Sequence, residues 1–115
     1  EIVALHVRDG LHLKSACTLA SARELLFDPK VIGADERGAF EAAGLECVAV
    51  DEPTGANVLA IGDAVLVSSA APKTAALLRE RGRRVNVVDV GEFHKGDGAL
   101  TCLSVRLPSP GTWCT

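Results

Sequence analysis

Short apolar runs rich in β-branched residues alternate along this chain with two stretches of helical periodicity. Those runs predict strands at residues 2–7 and 11–19, set apart by Asp9-Gly10, and a third at 24–27, stopped by Asp28-Pro29. Further strands are predicted at 45–50, 84–90 and 100–107, and residues 58–61 and 64–67 predict a hairpin around Gly62-Asp63. One helix is predicted over 35–43, with Phe40 and Ala43 inward and Gly44 just past its end. Another is predicted from Pro72 to Arg81, with Ala75 and Leu78 inward and Gly82 in the closing position. Residues 91–98 read as a loop or single turn, and the tail from Pro108 reads as loose.

This order contains a repeat. Gly44-Leu45-Glu46-Cys47-Val48-Ala49-Val50-Asp51 lines up with Gly82-Arg83-Arg84-Val85-Asn86-Val87-Val88-Asp89, and each stretch follows a helix that itself follows a strand. The unit is strand–strand–helix–strand, about 40 residues long and present roughly twice. Such units do not bury their faces alone, so two copies imply a longer array. An independent α/β sandwich is the competing architecture.

Composition sharpens this picture. The 115 residues include no Met, and 48% of them are hydrophobic, which is apolar for a body this small. The expectation is a piece of a longer protein, or a surface buried against a partner. A net charge of -3 argues against nucleic-acid and anionic-membrane partners, and no apolar run approaches the roughly 20 residues that span a bilayer. The first residues include Glu1, His6, Arg8 and Asp9, unlike the apolar stretch of a signal peptide. Cys17, Cys47, Cys102 and Cys114 form no C-x-x-C pair or zinc-type cluster, so the expected compartment is the reducing cytoplasm and the thiols are expected to be free.

The strand phase sorts the polar groups. Over 11–19, Leu11, Leu13, Ser15, Cys17 and Leu19 share one face, and His12, Lys14, Ala16 and Thr18 the other. Over 100–107, Cys102, Ser104 and Arg106 lie opposite Thr101, Leu103, Val105 and Leu107. His12 and Cys102 therefore fall on the less apolar sides, whereas Cys17 and Cys47 follow the apolar phase and read as core. A thiol beside an imidazolium suits nucleophilic attack, because the thiolate is the reactive form and the cation favours it. A lone His and a lone Cys on separate strands also occur by chance, and pattern alone does not choose.

Two stretches change that balance. Gly10-Leu11-His12-Leu13-Lys14-Ser15 and Asp97-Gly98-Ala99-Leu100-Thr101-Cys102-Leu103-Ser104-Val105 resemble the two catalytic strands of the dimethylarginine dimethylaminohydrolase family, and Ala56-Asn57 resembles a motif between them. That family belongs to the guanidino-group-modifying, or pentein, superfamily. The resemblance covers nearly the whole chain, and it implies an α/β fold made of about two of the five ββαβ modules of an α/β propeller. It implies that residues 1–107 are the C-terminal part of one catalytic domain, with 108–115 a flexible tail. Cys102 is then the nucleophile and His12 the general acid/base in the hydrolysis of Nω-methylated arginine to citrulline. Gly96 and Asp97 are implied to contact substrate, and no cofactor or metal is called for. The partners implied are the methylated arginine and the N-terminal modules of the same protein, with a homo-oligomer left open.

The carboxylate that orients the His, the acidic groups that hold the guanidinium and the Arg that clamps the substrate carboxylate would all precede Glu1. The expectation is that these residues alone are inactive or nearly so. Arginine deimination or transamidination is the near alternative, and a non-catalytic pentein-like interaction module the distant one. Elsewhere, the basic run Arg79-Glu80-Arg81-Gly82-Arg83-Arg84 reads as charge complementing a helix C-terminus. His94 reads as solvated, and Asp97 either contacts substrate or fixes a turn.

Overall fold

The computed structural model describes residues 2–9 and 12–107. The tail from Pro108, with Trp113 and Cys114, lies outside the described residues, as do Gly10 and Leu11. The repeat in the sequence is a repeat in space. In the first module β1 (Cys17–Leu19) pairs antiparallel with β2 (Glu24–Phe27), and α2 (Ala34–Ala42) carries the chain to β3 (Glu46–Ala49), parallel to β2. In the second, β4 (Leu59–Ile61) pairs antiparallel with β5 (Ala64–Ser68), and α3 (Pro72–Glu80) leads to β6 (Arg84–Val88), parallel to β5. Parallel strands cannot be joined by a tight turn, so each module needs its helix as a crossover. Two one-turn helices, α1 (Leu13–Ala16) and α4 (Gly91–His94), flank the modules.

All three of the later helices end in the same way. Gly44, Gly82 and Asp97 have positive φ of 87°, 81° and 60°. At each, the amide of the left-handed residue and the next one bond back to the closing turn: Gly44 to Glu41 and Leu45 to Phe40, Gly82 to Arg79 and Arg83 to Leu78, Asp97 to His94 and Gly98 to Phe93. This is the Schellman arrangement, which satisfies orphan carbonyls and turns the chain sharply. Glycine takes the left-handed position at no steric cost in the first two cases. Pro72 opens α3, and the Glu52 carboxylate accepts the amides of Lys73 and Thr74 at 3.1 and 2.8 Å, closing the other end of that helix.

The principal core lies between the modules. Leu26, fully buried on β2, packs in one cluster with Val58, Val65, Val67, Ala75 and Leu78 of the second module. Its neighbours Leu25 and Phe27 point the other way, into a cluster with Cys17 and Ile32 under α2. All four residues of β2 are buried, as expected of a strand covered on both faces. Thr18 reinforces the junction, its hydroxyl donating to the Ala56 carbonyl at 2.6 Å and accepting the Val58 amide at 2.9 Å.

Three expectations are corrected. Residues 2–7 and 100–107 are not strands, because a strand needs a neighbour to complete its hydrogen bonds and none runs beside either segment among the described residues. The 11–19 strand begins only at Cys17, since Leu13-Lys14-Ser15-Ala16 lacks β-branched residues and forms a helical turn. Ala43 is exposed, and Leu45 takes the inward position beside Phe40.

The basic run at the end of α3 does more than complement the helix. Arg81 and Arg83 both reach back to Glu24, whose side chain is 3% exposed at the start of β2, and Arg81 also pairs with Glu46. Burial pushes the Glu24 carboxyl up, but hydrogen bonds and charge from Arg81 and Arg83 outweigh it and hold the group below the ordinary range. A carboxyl depressed in the folded state stabilises the fold above its unfolded pKa and loses that contribution as pH falls through the folded value. Denaturant midpoints should therefore fall from about pH 5 downward. Glu24→Gln should cost about 1–3 kcal/mol at pH 7 and flatten the acid limb of the profile; an unchanged limb would contradict this assignment.

Candidate active site

His12 stands at the N-terminal edge of α1, in extended backbone with φ −146°, and its carbonyl accepts the Ser15 amide at 3.0 Å. Its side chain is exposed on a short turn, not on the polar face of a strand. Cys102 sits in a helical turn, with the Cys102 and Leu103 amides both donating to the Ala99 carbonyl. It too is exposed.

A third residue joins these two segments. Asn57, only 3% exposed, donates from its side-chain amide to the Lys14 carbonyl and to the Thr101 hydroxyl oxygen, each at 2.8 Å. Its carbonyl oxygen accepts the Thr101 amide at 3.2 Å. The contact points are two residues beyond His12 and one before Cys102, positions 43 and 44 residues from Asn57 in sequence. The sequence signal for this role is a single amide residue inside an apolar run, Ala56 to Ile61, since a buried polar group must find partners.

Two cavities flank the junction. One, of about 450 Å³, lies between the modules and is lined by Leu13, Lys14, Thr18, Thr101, Ser104 and Arg106 among others. The other, of about 310 Å³, is lined by Ser15, Thr54, Asn57, His94 and residues 97–99. His12 and Cys102 line neither. Gly96 and Asp97 belong to the cap of α4, so the turn-fixing role of Asp97 is visible directly. A non-glycine residue in that left-handed position costs about 1 kcal/mol, tolerated best by Asp and Asn.

The thiols are sharply divided. Cys17 is 6% exposed, and burial, with the neighbouring Cys47, pushes its thiol up to about 11. Burial likewise raises Cys47, with Glu41 adding to the effect and Arg37 opposing it. Of the cysteines among the described residues, Cys102 alone is exposed. No group of three or more His, Cys, Asp or Glu residues that could hold a metal occurs among the described residues. Nor does any ion pair among them reach His12; the carboxylates that form ion pairs do so with Lys30, Arg37, the Arg81–Arg84 segment and Lys95.

His94 is a correction. It is half-buried and hydrogen-bonded through both ring nitrogens, to Ser68 and to Gly98, not solvated. A histidine flanked by Phe93 and Lys95 in a predicted loop gave no periodicity from which this could be read.

No protein-family model matches the chain. Over 107 residues it is 41% identical to a dimethylarginine dimethylaminohydrolase of Streptomyces coelicolor, an alignment covering 92% of this chain and 39% of that protein. The fold is similar to that of the Pseudomonas aeruginosa protein of the same name, with a TM-score of 0.76 at 24% identity, covering 90% of this chain and 39% of the other. An amidinotransferase from Microseira wollei superposes with a TM-score of 0.75 at 15% identity, over 90% of this chain and 34% of its own. The chain thus spans about two-fifths of the length of the curated relatives it matches.

Replacing Asn57 tests the junction. Asn57→Asp removes both N–H donors and turns a carboxylate toward the Lys14 carbonyl, so unfolding by denaturant should show a loss of about 2–4 kcal/mol. Unaltered stability would exclude Asn57 as the link between the two segments.

Proposed function

We propose that this chain, 41% identical over 107 residues to a dimethylarginine dimethylaminohydrolase, belongs to a pentein-superfamily protein that hydrolyses Nω-methylated arginine to citrulline and a methylamine. Cys102 is the nucleophile and His12 the general acid/base. The Cys102 thiolate adds to the guanidinium carbon, and the bond from that carbon to the methylated nitrogen breaks. His12 gives its proton to the departing amine, leaving a thiouronium joined to Cys102. A water, losing a proton to His12, then adds to the same carbon. The carbon–sulfur bond breaks, releasing citrulline and restoring the thiolate. The second proton of that water leaves the product oxygen for the released amine, so proton and electron counts close without any cofactor, and the free thiol it needs is suited to a reducing cytoplasm.

The observation that carries this reading is the Asn57 junction, which fastens the His12 turn and the Cys102 turn to one buried amide. The exposure of Cys102, beside two buried or half-buried thiols, adds to it. Related proteins lend chemical support: the P. aeruginosa relative with its cysteine changed to serine was crystallised with citrulline, and a histidine-to-glycine variant of a dimethylarginine dimethylaminohydrolase was captured as an adduct with S-methyl-L-thiocitrulline. On this reading Gly96 and Asp97 border the substrate, and the orienting carboxylate and the carboxylate clamp come from N-terminal modules outside residues 1–107.

The whole protein should release citrulline from asymmetric dimethylarginine. Cys102→Ser and His12→Ala should each lower kcat by about three orders of magnitude or more. The 115 residues alone should release none, and regain activity when mixed with the N-terminal modules. Turnover of arginine to ammonia in preference to methylarginine would move the assignment to the deiminases, and full activity in Cys102→Ser would overturn it.

A further inference from the structure

We infer that His94 is a positioning residue that fixes the 96–102 segment, an inference that rests on the catalytic reading above. Its Nδ1 lies 2.8 Å from the Gly98 carbonyl oxygen, and its Nε2 lies 2.9 Å from the Ser68 hydroxyl. A carbonyl can only accept, so Nδ1 carries the proton and donates it to Gly98. In the tautomer protonated at Nδ1 alone, Nε2 accepts and Ser68 supplies the hydrogen. The same hydroxyl oxygen accepts the Ala70 amide at 3.2 Å, which leaves its hydrogen available for His94. Ser68 is itself 1% exposed at the end of β5. The chain of bonds therefore runs from a rigid strand of the second sheet, through an imidazole, to the loop that leads into Cys102.

That loop needs holding. Thr54 and Asp97 are the two non-glycine residues with positive φ among the described residues, and both line the 310 Å³ cavity beside His94. Backbone in this region persists only where its surroundings over-determine it. At Gly98 the space is equally constrained: a Cβ there would lie 2.9 Å from the Phe93 carbonyl oxygen. Gly98 is thus pinned from two sides, by the Phe93 carbonyl accepting its amide at 2.8 Å and by His94 donating to its own carbonyl. Four residues later comes Cys102, in a turn anchored on the Ala99 carbonyl. A shift at Gly98 is therefore passed to the thiol through a few stiff peptide units, with Asn57 restraining only the Thr101 end.

Asparagine and glutamine separate the two bonds of the ring, since the Asn amide nitrogen falls near the Nδ1 position and the Gln amide nitrogen near Nε2. In the whole protein, His94→Ala should lower kcat about ten-fold with a smaller change in KM, and raise amide hydrogen exchange over residues 98–102 by a similar factor. His94→Asn, which keeps the bond to Gly98, should restore both to within about three-fold of the parent, and His94→Gln should restore neither. Exchange and Cys102 alkylation unchanged in His94→Ala, or rescue by Gln equal to that by Asn, would overturn the inference. Exchange is read without turnover. A parent protein that makes no citrulline would overturn the catalytic reading, while the exchange comparison would still decide whether His94 holds the loop.

Discussion

A side-chain amide offers two donors and one acceptor, and at Asn57 all three are used on backbone and side chain that would otherwise have no reason to meet. Neither neighbouring segment is held by a sheet. The His12 turn precedes β1, and the Cys102 turn follows α4 without entering a ladder. Their mutual placement is set by a group buried where the second module begins. A buried polar group with every bond made is specific as well as stabilising, because any other arrangement leaves at least one unpaired. The site thus depends on the correct seating of β4 on the first module, and that seating depends in turn on Thr18, Leu26 and the Glu24 pairs.

The two modules are coupled by different means at the two ends of their contact. At one end the coupling is apolar, through Leu26 and the cluster around Val67 and Leu78. At the other it is ionic, through Glu24 shared by two guanidinium groups, one of which also pairs with Glu46. Apolar burial is tolerant of small slips, whereas a shared carboxylate is not. The combination lets a short, generic hydrophobic strand find one register against its neighbour.

Much of this was legible in the residues. The strand–strand–helix–strand repeat, the crossovers, the hairpin at Gly62 and the glycine helix ends at Gly44 and Gly82 follow from local periodicity and from where φ must be positive. Two of the failures share a cause: 2–7 and 100–107 have the residues of strands, but a strand is a property of pairs, and such a run carries no information on whether a neighbour is present. Pairings across long separations were likewise invisible. Arg81 with Glu24, His94 with Ser68 and Asn57 with Thr101 are fixed by the fold, and composition alone marked the first as a helix-end charge and the second as solvated. The sequence motifs around His12 and Cys102 pointed to a family, and the structure brings their flanking residues onto one amide; the side chains themselves remain assigned by proposal.

The division among the thiols also bears on oxidative damage. Peroxides act on thiolates that they can reach, and a thiol raised to about 11 is almost wholly protonated at neutral pH. Cys17 is shielded on both counts and Cys47 on each in part, so among the described residues an oxidant would meet Cys102 first, converting it to the sulfenic acid and leaving the first sheet intact. On the proposed role of Cys102, loss of activity by that route would be separable from loss of fold, and a reductant could reverse it without the chain ever having to refold.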